Sequence, residues 1–195
     1  GKSTTVRLTA AIGAAAGNCV GLSSSDWVRV GGEILDEGDY SGPSGARLAV
    51  RDPRVDLAII ETARGGLMRR GLPVPTADVC LLTNIAADHL GTYGIMDVAA
   101  LADAKFQLSK AVRAGGRLVL NADDPELVAR SPQFDGDITW FGLNFDQATL
   151  DVWVANGGRA AFVADGVMML AREGAVLPVL AVNDFVPALG GAAEF

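Results

Sequence analysis

The chain has 195 residues and half of them are hydrophobic, so it can bury a full core as one domain. A formal net charge of -7 gives no clustered Lys and Arg surface, so neither nucleic acid nor an anionic membrane is expected as a partner. No apolar run reaches membrane-spanning length and no basic-then-apolar leader is seen, so a cytoplasmic protein is expected.

The spacing of hydrophobic residues predicts the elements along the chain. Apolar residues from Val6 to Ala15 recur at helical intervals, which predicts a helix over residues 3–16. Further helices are predicted at residues 44–50, around Met68 and at residues 97–112. Strands are predicted at residues 19–22, at residues 27–35 as a pair around a Gly-Gly turn, and at residues 57–60, 79–82 and 118–120. The last three runs are unbroken and apolar, which is typical of parallel strands buried on both faces.

The pattern changes after residue 137. Short runs separated by Asn-Gly-Gly and Glu-Gly turns predict antiparallel strands at residues 138–141, 152–155, 159–163, 167–171 and 176–182. We therefore predict one domain over residues 1–195. Residues 1–136 would form an α/β core, a doubly wound and mostly parallel sheet flanked by helices, and residues 137–195 a small, β-rich, antiparallel portion.

The two cysteines, Cys19 and Cys80, each lie in an apolar stretch. Reduced cytoplasmic thiols are the expected state of both, and a disulfide between them is the alternative that the sequence leaves open.

Gly1, Lys2, Ser3 and Thr4 stand at the mouth of the first predicted helix. Backbone N–H groups there would hold phosphate oxygens, Lys2 would offset the charge of the outer phosphates, and the Ser3 hydroxyl would reach magnesium. This pattern is the second half of a phosphate-binding loop, so the predicted sheet is of the P-loop type. An ordinary helix start is the alternative interpretation.

Glu61 ends the apolar run of residues 57–60. Because ligands of open α/β sheets bind beyond the carboxyl ends of strands, a carboxylate there is well placed to bind magnesium. Arg64, followed by two glycines, supplies a cation and a flexible backbone at the same edge. A solvated glutamate at a strand end is the alternative.

The chain's one histidine, His89, follows the predicted strand at residues 79–82 on a polar loop, with Asp88 beside it and Asn84 nearby. This position fits a ligand of a metal ion or of a phosphoryl oxygen, and it fits a structural histidine equally well.

Lys105 falls in line with Leu101, Leu108 and Val112 on the predicted helix at residues 97–112, in a stripe expected to face the core. The lysine either extends its ammonium group outward or is desolvated and carries a neutral, nucleophilic amine. A neutral amine can combine with carbon dioxide to give a carbamate, an anionic oxygen ligand suited to magnesium. The sequence leaves both alternatives open.

Asp123 and Asp124 follow the predicted strand at residues 118–120. Asp124, with Pro125 after it, is predicted to cap a short helix, whereas Asp123 could contact a nucleotide.

In this order, the motifs resemble the central domain of the Mur ligase family, enzymes that form amide bonds at the expense of ATP. Within the family they are most similar to the Mur-ligase-like part of cyanophycin synthetases. The resemblance rests on residues 1–5, 38–43, 52–53, 61–67, 83–84, 88–91, 104–105 and 121–124. Gly91 stands where most cell-wall Mur ligases have Asp, as it does in cyanophycin synthetases.

The resemblance implies that the chain binds ATP and two magnesium ions. The implied nucleotide-binding residues are Gly1, Lys2, Ser3, Thr4, Asn84 and Asp123. Ser3 and Glu61 would hold the first magnesium ion, and His89 and a carbamylated Lys105 the second. The implied catalytic residues are Lys105, His89 and Arg64, with Arg64 steadying a substrate or phosphate oxygen.

The implied reaction activates a free carboxylate of a small molecule or peptide as an acyl phosphate, which an amino acid amine then attacks. A homo-oligomer is compatible with this activity. Two other interpretations stay open: a P-loop nucleotide hydrolase or switch, in which Glu61 would position water, and a nucleotide-binding module without catalysis. An unmodified, solvent-exposed Lys105 would favour the switch.

Overall fold

The computed structural model of the protein describes residues 1–87 and 91–185. Its helices are α1 (Lys2–Ala15), α2 (Pro43–Arg51), α3 (Arg64–Arg70), α4 (Val98–Phe106), α5 (Pro125–Arg130), α6 (Gln147–Ala155) and α7 (Val182–Phe185). Its strands are β1 (Val20–Ser23), β2 (Trp27–Val30), β3 (Glu33–Glu37), β4 (Leu57–Ile60), β5 (Ala77–Leu82), β6 (Val112–Asn121), β7 (Asp137–Gly142), β8 (Arg159–Ala164), β9 (Val167–Arg172) and β10 (Ala175–Ala181). Short 3-10 helices follow α4 at Gln107–Ala111 and α5 at Ser131–Gln133.

The chain divides into two compact units, each discontinuous in sequence. Of the described residues, the first unit comprises 1–77, 87 and 91–111, and the second comprises 78–86 and 112–185.

The first unit contains a four-stranded sheet in the order β3-β2-β1-β4. β1 is antiparallel to β2 and parallel to β4, with Ser23 opposite Ile60. α1 packs on this sheet, and Ala10 of the helix is buried in a cluster with Val20, Leu22 and Ile59. Because β1 and β4 end in register, the residues that follow them leave the sheet at the same edge.

The second unit contains a six-stranded sheet in the order β10-β9-β8-β7-β6-β5. β7 is parallel to both β6 and β8, whereas β9 is antiparallel to β8 and to β10. Leu118 and Leu120 of β6 are fully buried. The predicted fold class is confirmed: a mostly parallel sheet is flanked by helices and carries antiparallel strands toward the C-terminal end. The strands of the two units belong to separate sheets in the described chain, where the sequence suggested a single one.

The strand predicted at residues 152–155 is wrong, because these residues form the last turns of α6. The Asp146 side chain caps this helix by accepting hydrogen bonds from the backbone N–H of Thr149 at 2.9 Å and from its hydroxyl at 2.7 Å. Leu150 and Val154, four residues apart, are buried against the sheet, whereas Val152 between them is 63% exposed. Helical packing therefore overrides the strand preference of the β-branched residues.

The helix predicted at residues 97–112 is too long at its C-terminal end. α4 ends at Phe106, a 3-10 helix follows, and Val112 already begins β6. The Ser109 hydroxyl donates a 2.7 Å hydrogen bond to the Phe106 carbonyl, which offers the backbone an alternative to helical pairing.

The prediction that residues 79–82 are buried on both faces is also wrong, because Val79 is exposed on β5, at the edge of its sheet.

No helix within the described parts of the chain is long and apolar enough to cross a membrane.

Cys19 and Cys80 are both free thiols. Burial raises the pKa of Cys80 to about 11.

Candidate functional site

A cluster of hydroxyl and carboxylate oxygens lies where α1 begins and β1 and β4 end. Glu61, the first residue after β4, is 4% exposed. The Ser3 hydroxyl donates a hydrogen bond of 3.1 Å to Glu61 Oε1, and the Ser25 backbone N–H donates one of 3.2 Å to Oε2. The Ser3 and Ser25 hydroxyls are 3.1 Å apart. The structure therefore brings together Ser3 and Glu61, the two residues predicted for the first magnesium ion.

The position of Glu61 follows from the sheet. Its backbone N–H donates a 2.8 Å hydrogen bond to the carbonyl of Ser23, the last residue of β1, and so extends the parallel pairing by one step. A carboxylate with so little contact with water is stable only when its oxygens are paired. Ser3 and Ser25 supply those hydrogen bonds in the described protein.

Ser25 is a candidate site residue that the sequence analysis missed. Ser25 lies shortly after the end of β1, and Glu61 directly follows the end of β4. The rule that ligands bind beyond the carboxyl ends of strands therefore applies to both residues. The run of three serines after the predicted strand at residues 19–22 carried that signal.

The other residues of the predicted phosphate loop lie at the first turn of α1. Gly1 is the N-cap, and its carbonyl accepts hydrogen bonds from the backbone N–H and the hydroxyl of Thr5, both at 3.1 Å. Lys2 and Thr4 are exposed. Both side chains are therefore accessible to a ligand at the helix N-terminus.

Lys2 lies within electrostatic range of Asp39, in the loop that precedes α2. The pKa of Asp39 is held below its usual value by hydrogen bonds from the Ser41 hydroxyl at 2.5 Å and the Ser41 N–H at 3.0 Å, and by the positive charges of Arg69 and Lys2. Asp39 is therefore anionic at neutral pH and interacts electrostatically with a cation of α1 and with one of α3.

The loop around Asp39 is fixed to the strand end by close packing at Gly45. The Ser23 hydroxyl donates a 2.7 Å hydrogen bond to the Tyr40 carbonyl. A Cβ atom on Gly45 would lie 2.4 Å from that carbonyl oxygen and 2.6 Å from the Ser23 hydroxyl, so only glycine fits without a shift of the loop. The same loop contacts the start of α3, where the Ala63 N–H donates a 2.9 Å hydrogen bond to the Ser41 carbonyl.

Arg64, predicted to steady a substrate oxygen, begins α3. Its Nη2 donates a 2.5 Å hydrogen bond to the Thr92 hydroxyl. The guanidinium groups of Arg64 and Arg69 lie 5.8 and 5.9 Å from the centroid of the Tyr93 ring, a distance that allows a cation–π interaction. Tyr93 has a φ of 56°, which is unfavourable for a residue with a large side chain. Thr92 and Tyr93, which follow His89 in the sequence, are thus in contact with arginines of α3.

Lys105 lies on α4, with a half-buried side chain next to the buried Phe106. Leu101, one turn earlier on the same helix, is also buried, so this part of the predicted stripe faces the core. The chemical state of the amine stays a prediction. His89, predicted as its companion, lies outside the described residues.

Asn84 and Asp123 belong to the second unit. Asn84 is exposed and accepts a 3.2 Å hydrogen bond from the Thr83 hydroxyl. The Asp123 carboxylate accepts hydrogen bonds from the backbone N–H groups of Leu143 at 2.7 Å and Asn144 at 3.1 Å. A nucleotide contact by Asp123 would therefore have to share these oxygens with the loop before α6.

Asp124 caps α5 as predicted. Its side chain accepts hydrogen bonds from the N–H groups of Glu126 at 3.0 Å and Leu127 at 3.2 Å, and also from the N–H of Ile85.

Within residues 1–87 and 91–185, no group of three or more His, Cys, Asp or Glu side chains could hold a metal ion. The predicted ligand set has one such side chain in this part of the chain, Glu61. The remaining oxygen donors of the cluster are the hydroxyls of Ser3 and Ser25.

Fold and cluster together define a class: an α/β protein with a serine and glutamate cluster where its first helix meets two strand ends. Within that class, residues 1–168 match the profile of the Mur ligase middle domain, and the chain belongs to the Mur ligase family.

The chain is similar to a cyanophycin synthetase of Crocosphaera subtropica, with 36% identity over 195 residues, which is 100% of this chain and 22% of that protein. It thus spans about a fifth of the length of that relative. Among solved structures, it is similar to a UDP-N-acetylmuramoyl-L-alanyl-D-glutamate--2,6-diaminopimelate ligase, with a TM-score of 0.64, 16% identity and coverage of 91% of this chain and 36% of the other. It is also similar to a MurF ligase from Thermotoga maritima in complex with ADP, with a TM-score of 0.56, 15% identity and coverage of 98% and 44%.

Proposed function

We propose that this chain is the ATP-binding, catalytic middle domain of an enzyme that joins a carboxylate to an amino acid amine, as in a cyanophycin synthetase. The observation that carries the proposal is the hydrogen bond from Ser3 to the buried Glu61, because it joins the start of α1, the helix that we propose to bind phosphate, to a strand-end carboxylate. Membership of the Mur ligase family and the similarity to an ADP complex support ATP as the nucleotide.

The oxygen cluster fits a magnesium ion. The ion prefers hard oxygen ligands and is commonly held by one or two carboxylates together with substrate phosphates. One carboxylate oxygen of Glu61 and the hydroxyls of Ser3 and Ser25 are such ligands, and the Ser3 hydroxyl already lies within hydrogen-bond distance of each of the other two. When bound, magnesium would offset the negative charge of the phosphates and of the approaching carboxylate. We assign a second ion to His89 and to Lys105 in its carbamylated form.

The proposed reaction has two steps. First, a carboxylate oxygen attacks the γ-phosphorus of ATP, the bond from that phosphorus to the bridging oxygen breaks, and ADP leaves. The amine then attacks the acyl carbon and loses a proton, and inorganic phosphate leaves. A free carboxylate resists the amine because it is anionic and has no leaving group, so the first step makes the second one feasible.

In this reaction the chain binds and orients the substrates. The N–H groups at Gly1 to Thr4 and the Lys2 ammonium would hold the phosphates of ATP. Arg64, fixed by Thr92 and Tyr93, would steady the substrate carboxylate or the transferred phosphoryl group. There would be two substrates: a small molecule or peptide with a free carboxylate, and an amino acid.

Free thiols at Cys19 and Cys80 support a cytoplasmic setting.

The proposal is tested by measuring ADP formation by the full-length protein. A panel of carboxylate-bearing peptides is offered in combination with single amino acids, and ADP and inorganic phosphate are followed together with the ligated product by mass spectrometry. We expect ADP formation to require both substrates and to match product formation one to one. An equal rate of ATP hydrolysis with and without every acceptor would identify a nucleotide hydrolase instead and overturn the proposal.

A further inference from the structure

The turn between β1 and β2 places Ser25 in the oxygen cluster. Ser25 is the central residue of this turn, which comprises residues 24–26. Its backbone N–H donates a 3.2 Å hydrogen bond to Glu61 Oε2, and its hydroxyl lies 3.1 Å from that of Ser3. The position of the turn therefore determines whether the Ser25 hydroxyl reaches the cluster.

α1 contacts this turn at two points. Ser3 contacts Ser25, and Arg7, one helical turn further along the same face of α1, contacts the two residues that follow Ser25. The Arg7 guanidinium forms an ion pair with the Asp26 carboxylate and lies 4.8 Å from the centroid of the Trp27 ring, a distance that allows a cation–π interaction. The helix that carries Ser3 thus also fixes the residues next to Ser25.

The loop before α2 holds the same turn through its backbone. The Asp26 carbonyl accepts a 2.8 Å hydrogen bond from the Gly38 N–H, and the Ser24 carbonyl accepts one of 2.9 Å from the Tyr40 N–H. Arg7 supplies a further fixed point from α1, the helix that carries Ser3.

We propose that Arg7 is a positioning residue for Ser25 as a magnesium ligand, an inference that rests on the function proposed above. Its guanidinium is engaged by Asp26 and Trp27, so it acts through the turn and does not touch the nucleotide. A ligand that is held in place before the ion arrives binds it more tightly, because less conformational entropy is lost on binding. Without Arg7, the Ser25 hydroxyl is present but less often in place.

A purely structural ion pair is the alternative. The Arg7 and Asp26 side chains are 47% and 39% exposed, and ion pairs that are this accessible contribute little to overall stability. Removing the pair should therefore leave the unfolding midpoint almost unchanged but raise the magnesium requirement. The two effects can be measured separately.

Nucleotide binding to the full-length protein tests the inference without turnover. A fluorescent, non-hydrolysable ATP analogue is titrated at rising magnesium concentrations, which gives the magnesium concentration for half-maximal binding. We expect Arg7→Met to raise that concentration roughly threefold, because the coupling energy of an exposed ion pair is small. The affinity for the analogue at saturating magnesium should not change. Weaker binding at saturating magnesium would show that Arg7 contacts the nucleotide directly and would overturn the proposal.

Arg113→Met is the matched control, because it breaks a similarly exposed ion pair with Asp78 in the second unit. We expect it to leave the magnesium requirement unchanged. Asp26→Asn removes the Arg7 ion pair from its other partner and should reproduce the effect of Arg7→Met. The same magnesium requirement in the Arg7, Asp26 and Arg113 variants would contradict the positioning role.

A double-mutant cycle with Ser25→Ala tests whether Arg7 acts through Ser25. Adding Arg7→Met to Ser25→Ala should raise the magnesium requirement no further, whereas additive effects would overturn the proposal. Binding of the analogue that is independent of magnesium in the wild type would overturn both this inference and the proposed function. Magnesium-dependent binding without ligation in the assay of ADP formation would overturn the proposed function alone.

Discussion

Ser3 Oγ lies 3.1 Å from Oε1 of Glu61, although 58 positions separate the two residues. The contact forms because α1 begins at Lys2 and β4 ends at Ile60. The parallel pairing of β4 with β1 fixes the position along the sheet at which Glu61 follows β4. The hydroxyl thereby meets a carboxylate that has almost no contact with water.

Glu61→Gln should lower ATP-dependent ligation by roughly 100-fold, because an amide keeps the size of the side chain but removes the negative charge that would hold magnesium. The initial rate of product formation by the full-length protein measures the effect. Glu37→Gln, at an exposed position of β3, is the matched control and should retain full activity. Activity of the Glu61 variant within twofold of wild type would contradict the assigned role.

Ser25→Ala should weaken the activation by magnesium more than it lowers kcat. The substitution removes one hydroxyl from the oxygen cluster but keeps the backbone N–H that pairs with Glu61. We expect the magnesium concentration for half-maximal activity to rise roughly tenfold, with kcat at saturating magnesium little changed. Ser131→Ala is the control, because Ser131 is a half-buried serine of the second unit whose hydroxyl donates a hydrogen bond to the Val128 carbonyl and not to a carboxylate. If both variants show the same magnesium dependence, Ser25 is not a ligand.

Sequence reasoning located the Ser3 and Glu61 pair because both depend on local rules. A glycine, lysine and serine before a helical pattern and an acidic residue after an apolar strand are each visible without knowledge of the fold. That β1 and β4 are adjacent was not visible in the sequence, and Ser25 was overlooked for this reason. The cap at Asp124 was found because it, too, is a local pattern.

The errors came from tertiary packing. Residues 152–155 have the β-branched composition of a strand, but the Asp146 cap and the burial of Leu150 and Val154 make them helical. The end of α4 at Phe106 was missed because the periodicity of apolar residues continues into a 3-10 helix with a different number of residues per turn. Exposure of Val79 follows from the place of β5 at a sheet edge, which the apolar run could not reveal.

Gly45→Ala should destabilise the protein by about 1–3 kcal/mol, because the new methyl group would overlap the Tyr40 carbonyl and the Ser23 hydroxyl. The loop before α2 would have to shift, and ligation should fall with it. Gly32→Ala is the control, since a Cβ atom at that position meets nothing within 4 Å. Urea unfolding of the two variants, followed side by side, measures the difference. Equal midpoints would show that the loop relaxes without cost.

Ser41→Ala should raise the pKa of Asp39. In the wild type this pKa lies below the ordinary value of 3.8, chiefly because the Ser41 hydroxyl donates a hydrogen bond to the carboxylate. A carboxyl group with a lowered pKa in the folded protein adds stability above its unfolded pKa, and that stability is lost as the pH falls through the lower, folded value. The variant should therefore lose less stability as the pH falls through 3.8 and on through the lowered pKa of the folded protein.

An NMR titration of the Asp39 carboxyl carbon measures this shift directly. The Ser41 N–H and the charges of Arg69 and Lys2 remain in the variant, so the midpoint should rise but stay below 3.8. Ser44→Ala, three residues along the same segment, should leave the titration unchanged. Identical midpoints in the wild type and the Ser41 variant would show that the hydroxyl does not stabilise the carboxylate.

Asp124→Ala should destabilise the second unit by about 1–3 kcal/mol, which is more than the loss of a helix cap at an exposed position causes. The 6% exposed Asp124 side chain accepts hydrogen bonds from two N–H groups of α5 and from that of Ile85, so its removal leaves donors without partners away from water. Asp146→Ala is the matched control, because Asp146 caps α6 in the same way but is exposed. We expect the unfolding midpoint to fall further for the Asp124 variant. Equal losses would mean that Asp124 acts only as a cap and that its hydrogen bond to Ile85 adds nothing to stability.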